Sequence, residues 1–212
     1  MFGLHAILER MIELIKNSAA VLAIGIALIA YIPYLIDMFR GKNKPHLYTW
    51  ISIFLITVVV AWIQVIGGAG VGALPTIIGA AVNGVILFYC FKYGTKDIAP
   101  IDKLCLAISI LGIVAYVLLQ GQPVIALAVV TVAEVVSFVP TFRKTRNDPY
   151  SESLTSYYFL MLKLVLILIA LESYNLLTVS YSALWLAVFS VFLSAVYVWR
   201  SRMSRKQRNV KN

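Results

Sequence analysis

Charged side chains are what this 212-residue sequence has least of: nine are acidic, eighteen are basic, and together they make up 13% of the chain. Against 61% hydrophobic residues and a mean hydropathy of +0.90, so few charges exclude an ordinary soluble globular domain. Cysteine is scarce too. Cys90 and Cys105 match no metal spacing and are too few for a disulfide scaffold, so both read as free packing residues. The only histidines, His5 and His46, have no second ligand at metal spacing, and neither a metal nor a cofactor is expected. No Ser/His/Asp, Cys/His or paired-carboxylate constellation assembles, so an enzyme is not expected. The run Gly68 to Ala73 approximates a dinucleotide fingerprint by letters, but no strand precedes it and the phosphate-cradle reading fails. The opening residues lack the basic region and small-residue cleavage site of a secretory signal, and are expected to persist in the mature protein.

Long apolar runs are what the chain has in place of charge. Bounded by charge, Gly or Pro, they define seven expected membrane spans: Ser18 to Met38, Leu47 to Ile66, Val71 to Tyr93, Leu104 to Gln120, Val124 to Phe142, Leu154 to Leu171, and Leu176 to Trp199. A hydrocarbon core of about 30 Å needs roughly 20 apolar residues per helix, which leaves no room for a separate soluble domain. The connectors Gly67 to Gly70 and Gly121 to Pro123 allow only tight turns between antiparallel helices. Ahead of the first span, Leu4, Ile7, Leu8, Met11, Ile12 and Ile15 recur at helical spacing opposite His5, Glu9, Glu13 and Lys16. This pattern predicts an amphipathic interfacial helix over 1–17.

Orientation follows from the basic residues, because Lys and Arg in short loops stay on the cytoplasmic side. Arg40, Lys42 and Lys44 follow span one, Lys92, Lys96 and Lys103 span three, and Arg143, Lys144 and Arg146 span five. With the six in the tail over 200–212, fifteen of the eighteen basic residues fall on one face. The N-terminus is therefore expected outside and the C-terminus in the cytoplasm, in a plasma (inner) membrane. The net charge of +9 is spread over loops without a nucleic-acid-binding motif. Anionic lipid headgroups are the expected partner of those charges, and no nucleic acid is.

A shift of 107 residues sets Pro33 on Pro140, Thr49-Trp50 on Ser156-Tyr157, and Asn83 on Ser190, each pair at an equivalent depth. The expected fold is accordingly an all-α membrane protein of two parallel three-helix repeats, 18–93 and 122–199. A linker helix within 94–121 joins them, a 3+1+3 arrangement that builds a site at the repeat interface near the midplane. Each repeat has a proline late in its first span, a basic loop, and a Ser/Thr-plus-aromatic start to its second. The copies are Pro33-Tyr34, Arg40, Lys42, Pro45 and Thr49-Trp50, then Pro140-Thr141, Arg143, Lys144, Pro149 and Ser156-Tyr157. In this the chain resembles the PQ-loop superfamily that includes the SWEET sugar facilitators. It departs from that pattern at the naming dipeptide, where Tyr34 and Thr141 stand in place of Gln. A divergent branch, or the similarly built nicotinamide-riboside carriers, fits as well as a sugar facilitator.

The resemblance implies that Pro33, Pro45, Pro140 and Pro149 flex helices between inward- and outward-open states. Proline within a helix removes a backbone hydrogen bond and makes a kink, although Pro45 and Pro149 also suit plain helix starts. It further implies that Asn83 on the third helix of its repeat contacts substrate; an interhelical hydrogen bond is the structural alternative. Ser190 would meet Asn83 at the midplane if the triplets face each other. Trp50 and Tyr157 lie one to two turns in from the cytoplasmic face, as pocket walls or interface-belt aromatics. Asp37 and Gln64 fall near span ends where water reaches.

Glu134 and Lys163 carry the greatest cost, since a charge at the bilayer centre costs at least about 2.5 kcal/mol on insertion scales. Both are expected roughly 12 to 14 Å from the cytoplasmic boundary at about 1.5 Å per residue, close enough in depth to pair. Such a pair serves a substrate, relays a proton, or locks span five to span six. The expected function is a uniporter or facilitator moving a small polar solute by alternating access: a sugar, a nucleoside-like compound or a zwitterionic metabolite. A seven-helix receptor or sorting protein that binds its ligand without translocating it is the second expectation, and a homo-oligomer is compatible with either.

Overall fold

The computed structural model describes residues 2–40, 47–93, 100–119, 122–147, 149 and 154–210. Within them the apolar runs become seven α-helices: α1 (Phe2–Phe39), α2 (Leu47–Ile66), α3 (Leu74–Tyr93), α4 (Pro100–Leu118), α5 (Pro123–Asn147), α6 (Leu154–Ala170) and α7 (Leu176–Val210). A short 3₁₀ turn over Gly70–Ala73 leads into α3, and the described residues contain no strand. Proline opens α4 and α5, where its missing N–H is one the first turn leaves unpaired in any case. Three helical stretches are long and apolar enough to cross a membrane: Leu4–Ile32, Gly70–Lys92 and Leu176–Met203. The other four helices contain shorter apolar segments, Trp50–Ile66, Leu106–Ala115, Pro123–Val135 and Tyr157–Ala170.

Several boundaries differ from the expectation. The amphipathic segment 1–17 has no helix of its own, because α1 runs unbroken from Phe2 into the first apolar span. Nothing between Lys16 and Ser18 stops a helix, since neither Gly nor Pro stands there. The basic residues after α5 and α7 also continue their helices, to Asn147 and Val210. Lys and Arg are good helix formers, and cations are favoured at a helix C-terminus.

The helices pack in a closed circuit of neighbours. α3 lies against both α1 and α2, and α7 lies against both α5 and α6. α1 then meets α6, α2 meets α5, and α4 packs against α2 and α5. The α1–α6 seam is built on small side chains, with Ala19 and Ala20 buried against Ala170, which lets the backbones approach closely. Facing outward, large apolar residues such as Val21, Ile29, Phe88, Leu111, Leu118 and Val191 are exposed. An outer surface of this kind is compatible with a hydrocarbon surround.

At one end of the bundle two connections grip each other. The Glu172 amide donates to the Ala69 carbonyl at 3.1 Å, and the Val71 amide donates to Glu172 Oε1 at 3.1 Å. Asn175 accepts from the Leu177 amide at 2.9 Å, capping α7, while its Nδ2 donates to the Gly67 carbonyl at 2.7 Å. Gly70 makes the approach feasible: its φ is +56°, and a Cβ there would fall 1.8 Å from Glu172 Cδ. At the opposite end Tyr89 Oη donates to the Met38 carbonyl at 3.0 Å, and Arg200 Nε donates to the Pro149 carbonyl at 2.8 Å.

Candidate functional site

A cavity of about 190 Å³ lies inside the helical circuit. Tyr31 of α1, Ile53 and Thr57 of α2, and Thr76, Gly79 and Asn83 of α3 form one wall. Glu134 of α5, Leu160, Lys163, Leu164 and Ile167 of α6, and Tyr181, Trp185 and Phe189 of α7 form the other. Among the described residues α1, α2, α3, α5, α6 and α7 contribute, and none of α4 does.

The first wall is tied together by one amide. Tyr31 Oη donates to Asn83 Oδ1 at 2.8 Å, and Asn83 Nδ2 donates to Thr57 Oγ1 at 3.1 Å. Thr57 passes its own hydroxyl hydrogen to the Ile53 carbonyl at 2.6 Å. Asn83 is buried, so these bonds satisfy groups that would otherwise be costly to hold away from water, and they join α1, α3 and α2 through the middle helix.

In the second wall a carboxylate takes the corresponding place. Tyr181 Oη donates to Glu134 Oε1 at 3.2 Å and Trp185 Nε1 donates to Oε2 at 3.1 Å. The two donors stand four residues apart on α7, on one helix face, and so reach the two oxygens of a single group. Lys163 faces the same cavity but lies beyond 4.0 Å of the Glu134 oxygens, and it makes no hydrogen bond or ion pair among the described residues. The Glu134–Lys163 pairing expected from equal depth is therefore not a direct contact, although the two charged groups act on each other across the cavity. α7 packs between α5 and α6, and its Tyr181 and Trp185 claim the carboxylate first.

Of the other expected site residues, Asn83 lines the cavity and Ser190 does not. Ser190 is on the exposed face of α7, its hydroxyl donating to the Leu186 carbonyl at 2.7 Å. The uniform 107-residue shift misplaced it because the connections before α3 and α7 differ in length. Counted from their helix starts, Asn83 is the tenth residue of α3 and Trp185 the tenth of α7. Trp50 packs on the Met38, Ile86 and Cys90 cluster, and Tyr157 on Phe138, Phe189 and Phe192, so both stiffen their own triplets away from the cavity wall. Gln64 is fully buried, not water-accessible as its place near a span end suggested, and its side-chain amide has no hydrogen-bond partner among the described residues.

Pro33 and Pro140 lie within α1 and α5, with side chains outside the described residues, as is that of Asp37. Pro45 lies outside the described residues altogether. Pro149 is buried ahead of α6, its carbonyl held by Arg200. Sequence reading missed Tyr31, Thr57, Tyr181 and Trp185. For Trp185 the available signal was its place as tenth residue of α7, matching Asn83 as tenth of α3; Tyr31, Thr57 and Tyr181 carried no such signal. Comparison with protein-family models, curated proteins and solved structures returns no match to this chain.

Proposed function

We propose that the protein is an integral membrane transporter that moves a small polar solute by alternating access, as a uniporter or facilitator. The observation that carries this reading is the cavity itself: α1, α2, α3, α5, α6 and α7 all line it, and Glu134 and Lys163 both face it. Ionisable residues at membrane depth are costly and mark solute or ion pathways. The packing supports a 3+1+3 division, since α3 neighbours both members of one triplet and α7 both members of the other. In this reading all seven helices cross a plasma membrane, with the N-terminus outside and the basic C-terminal end in the cytoplasm.

The chain is then a divergent PQ-loop or SWEET-like protein. The clasp between Glu172 and the Ala69–Val71 turn closes the outer face, which corresponds to an inward-facing or occluded state. Pro33 and Pro140, inside the paired helices α1 and α5, are the hinges on which the triplets rock, with Pro45 and Pro149 at the entrances to α2 and α6.

Counterflow tests the reading. Purified protein in proteoliposomes preloaded with unlabelled solute should accumulate the labelled form transiently. Specific binding without exchange would instead favour a receptor or sorting protein.

A further inference from the structure

Within the transport reading, and resting on it, we infer that the solute is a compact monocarboxylate with an apolar body, its carboxylate set against Lys163. Most polar groups on the cavity wall already satisfy one another. The Tyr31 and Thr57 hydroxyl hydrogens are committed to Asn83 and the Ile53 carbonyl, and each Glu134 oxygen already accepts a bond from α7. Lys163 alone offers a full set of unused charged donors. An ammonium in such a place binds an anionic oxygen through charge-assisted hydrogen bonds, stronger than bonds between neutral groups.

Five of the remaining side chains on the wall are unsuited to a polyol. Ile53, Leu160, Leu164, Ile167 and Phe189 would leave hydroxyls around a sugar ring without partners, a strong penalty in a buried site. Those side chains suit a hydrocarbon or aromatic body. A cavity of about 150 Å³ is enough to hold benzene, so the volume of about 190 Å³ here accommodates a ring with its carboxylate.

Benzoate and its neutral counterpart benzamide form the test pair, because they share shape and differ in charge. Benzoate should raise the melting temperature of the purified protein in detergent by mass action, and benzamide should not. Lys163→Gln should weaken benzoate binding by about tenfold or more, while Lys163→Arg, which keeps the charge, should stay within a few-fold of wild type. Arg serves as the control for folding. Benzoate counterflow in proteoliposomes should be lost in the Gln variant and kept in the Arg variant.

Equal shifts from acid and amide, or benzoate binding that ignores Lys163→Gln, would overturn the carboxylate assignment. Exchange of labelled glucose without benzoate binding would overturn it too, while leaving transport intact. Lys163-dependent benzoate binding without exchange would support the carboxylate site and remove the transport reading.

Discussion

Trp185 of α7 donates its indole N–H to Glu134 of α5 at 3.1 Å, from the same tenth helical position that Asn83 occupies in α3. Each of these middle helices thus holds a polar group of its triplet's first helix: Asn83 accepts from Tyr31, and Trp185 donates to Glu134. The two halves of the cavity are built on the same plan from different chemistry. A neutral amide anchors one side and a carboxylate the other.

Trp185→Phe keeps the ring but deletes the donor, leaving Glu134 Oε2 without its bond from α7. Hydrogen bonds to charged groups contribute about 1.5–3 kcal/mol in water-soluble proteins, whereas side-chain bonds within membranes average about 0.6 kcal/mol. A loss of about 1–2 kcal/mol in reversible unfolding is expected. Wild-type stability in the Phe variant would show that the bond contributes nothing.

The Tyr31–Asn83 bond lends itself to a double-mutant cycle. Tyr31→Phe and Asn83→Ala should each destabilise the protein, with a coupling energy of about 0.6 kcal/mol, the average for such bonds in membranes, and no more than about 1.7 kcal/mol, the largest. Additive effects would mean that the two groups do not interact in the folded state.

Glu134 is the carboxylate of the cavity wall, and it faces Tyr181 and Trp185 from α7, Lys163 from α6 and Tyr31 from α1. A proton that travels with the solute therefore has Glu134 as its carrier. Facilitated diffusion predicts proteoliposome uptake that follows the solute gradient alone; uptake that varies with external pH and loses that dependence in Glu134→Gln would instead make this carboxylate a proton carrier. An unchanged pH profile would remove proton coupling from the mechanism.

Gly70→Ala puts a Cβ into the space of the Glu172 carboxyl and forces a side chain onto a φ of +56°. Left-handed backbone costs an L-residue roughly 1–2 kcal/mol, and the clasp must also open. With Cys90 and Cys105 replaced, a cysteine at Thr76, on the cavity wall near that end, should react faster with a membrane-impermeant thiol reagent when Gly70→Ala is also present. The same labelling rate with and without Gly70→Ala would show that the clasp does not control access.

An odd number of crossings requires the two ends of the chain to face opposite compartments. Tags at residue 1 and residue 212 should therefore be accessible from different sides of oriented vesicles. Protection of both tags from the same side would contradict the seven-span topology.

Element boundaries were largely legible, because apolar runs end where Gly, Pro or basic clusters interrupt them. α2 spans Leu47–Ile66 as expected, and α7 begins at Leu176 as expected. The residues that form the cavity were legible where their cost is intrinsic. Glu134, Lys163 and Asn83 stand out in any apolar helix because each needs a partner, whatever the fold. Tyr31, Tyr181 and Trp185 did not stand out, since an aromatic in such a helix is ordinary until its polar edge is seen to meet an acceptor.

The sequence by itself determined that this chain is helical, that its surface is apolar, and which side chains cannot be left without company. Those properties follow from residue chemistry and from periods along one chain, so they need no neighbour. Which partner each polar group received was decided only by tertiary packing. Because α7 stands between α5 and α6, Glu134 is held by Tyr181 and Trp185, and Lys163 is left facing the cavity with its donors unused. Depth along a helix can be counted from the sequence, whereas the rotational setting of one helix against another depends on side chains contributed by both.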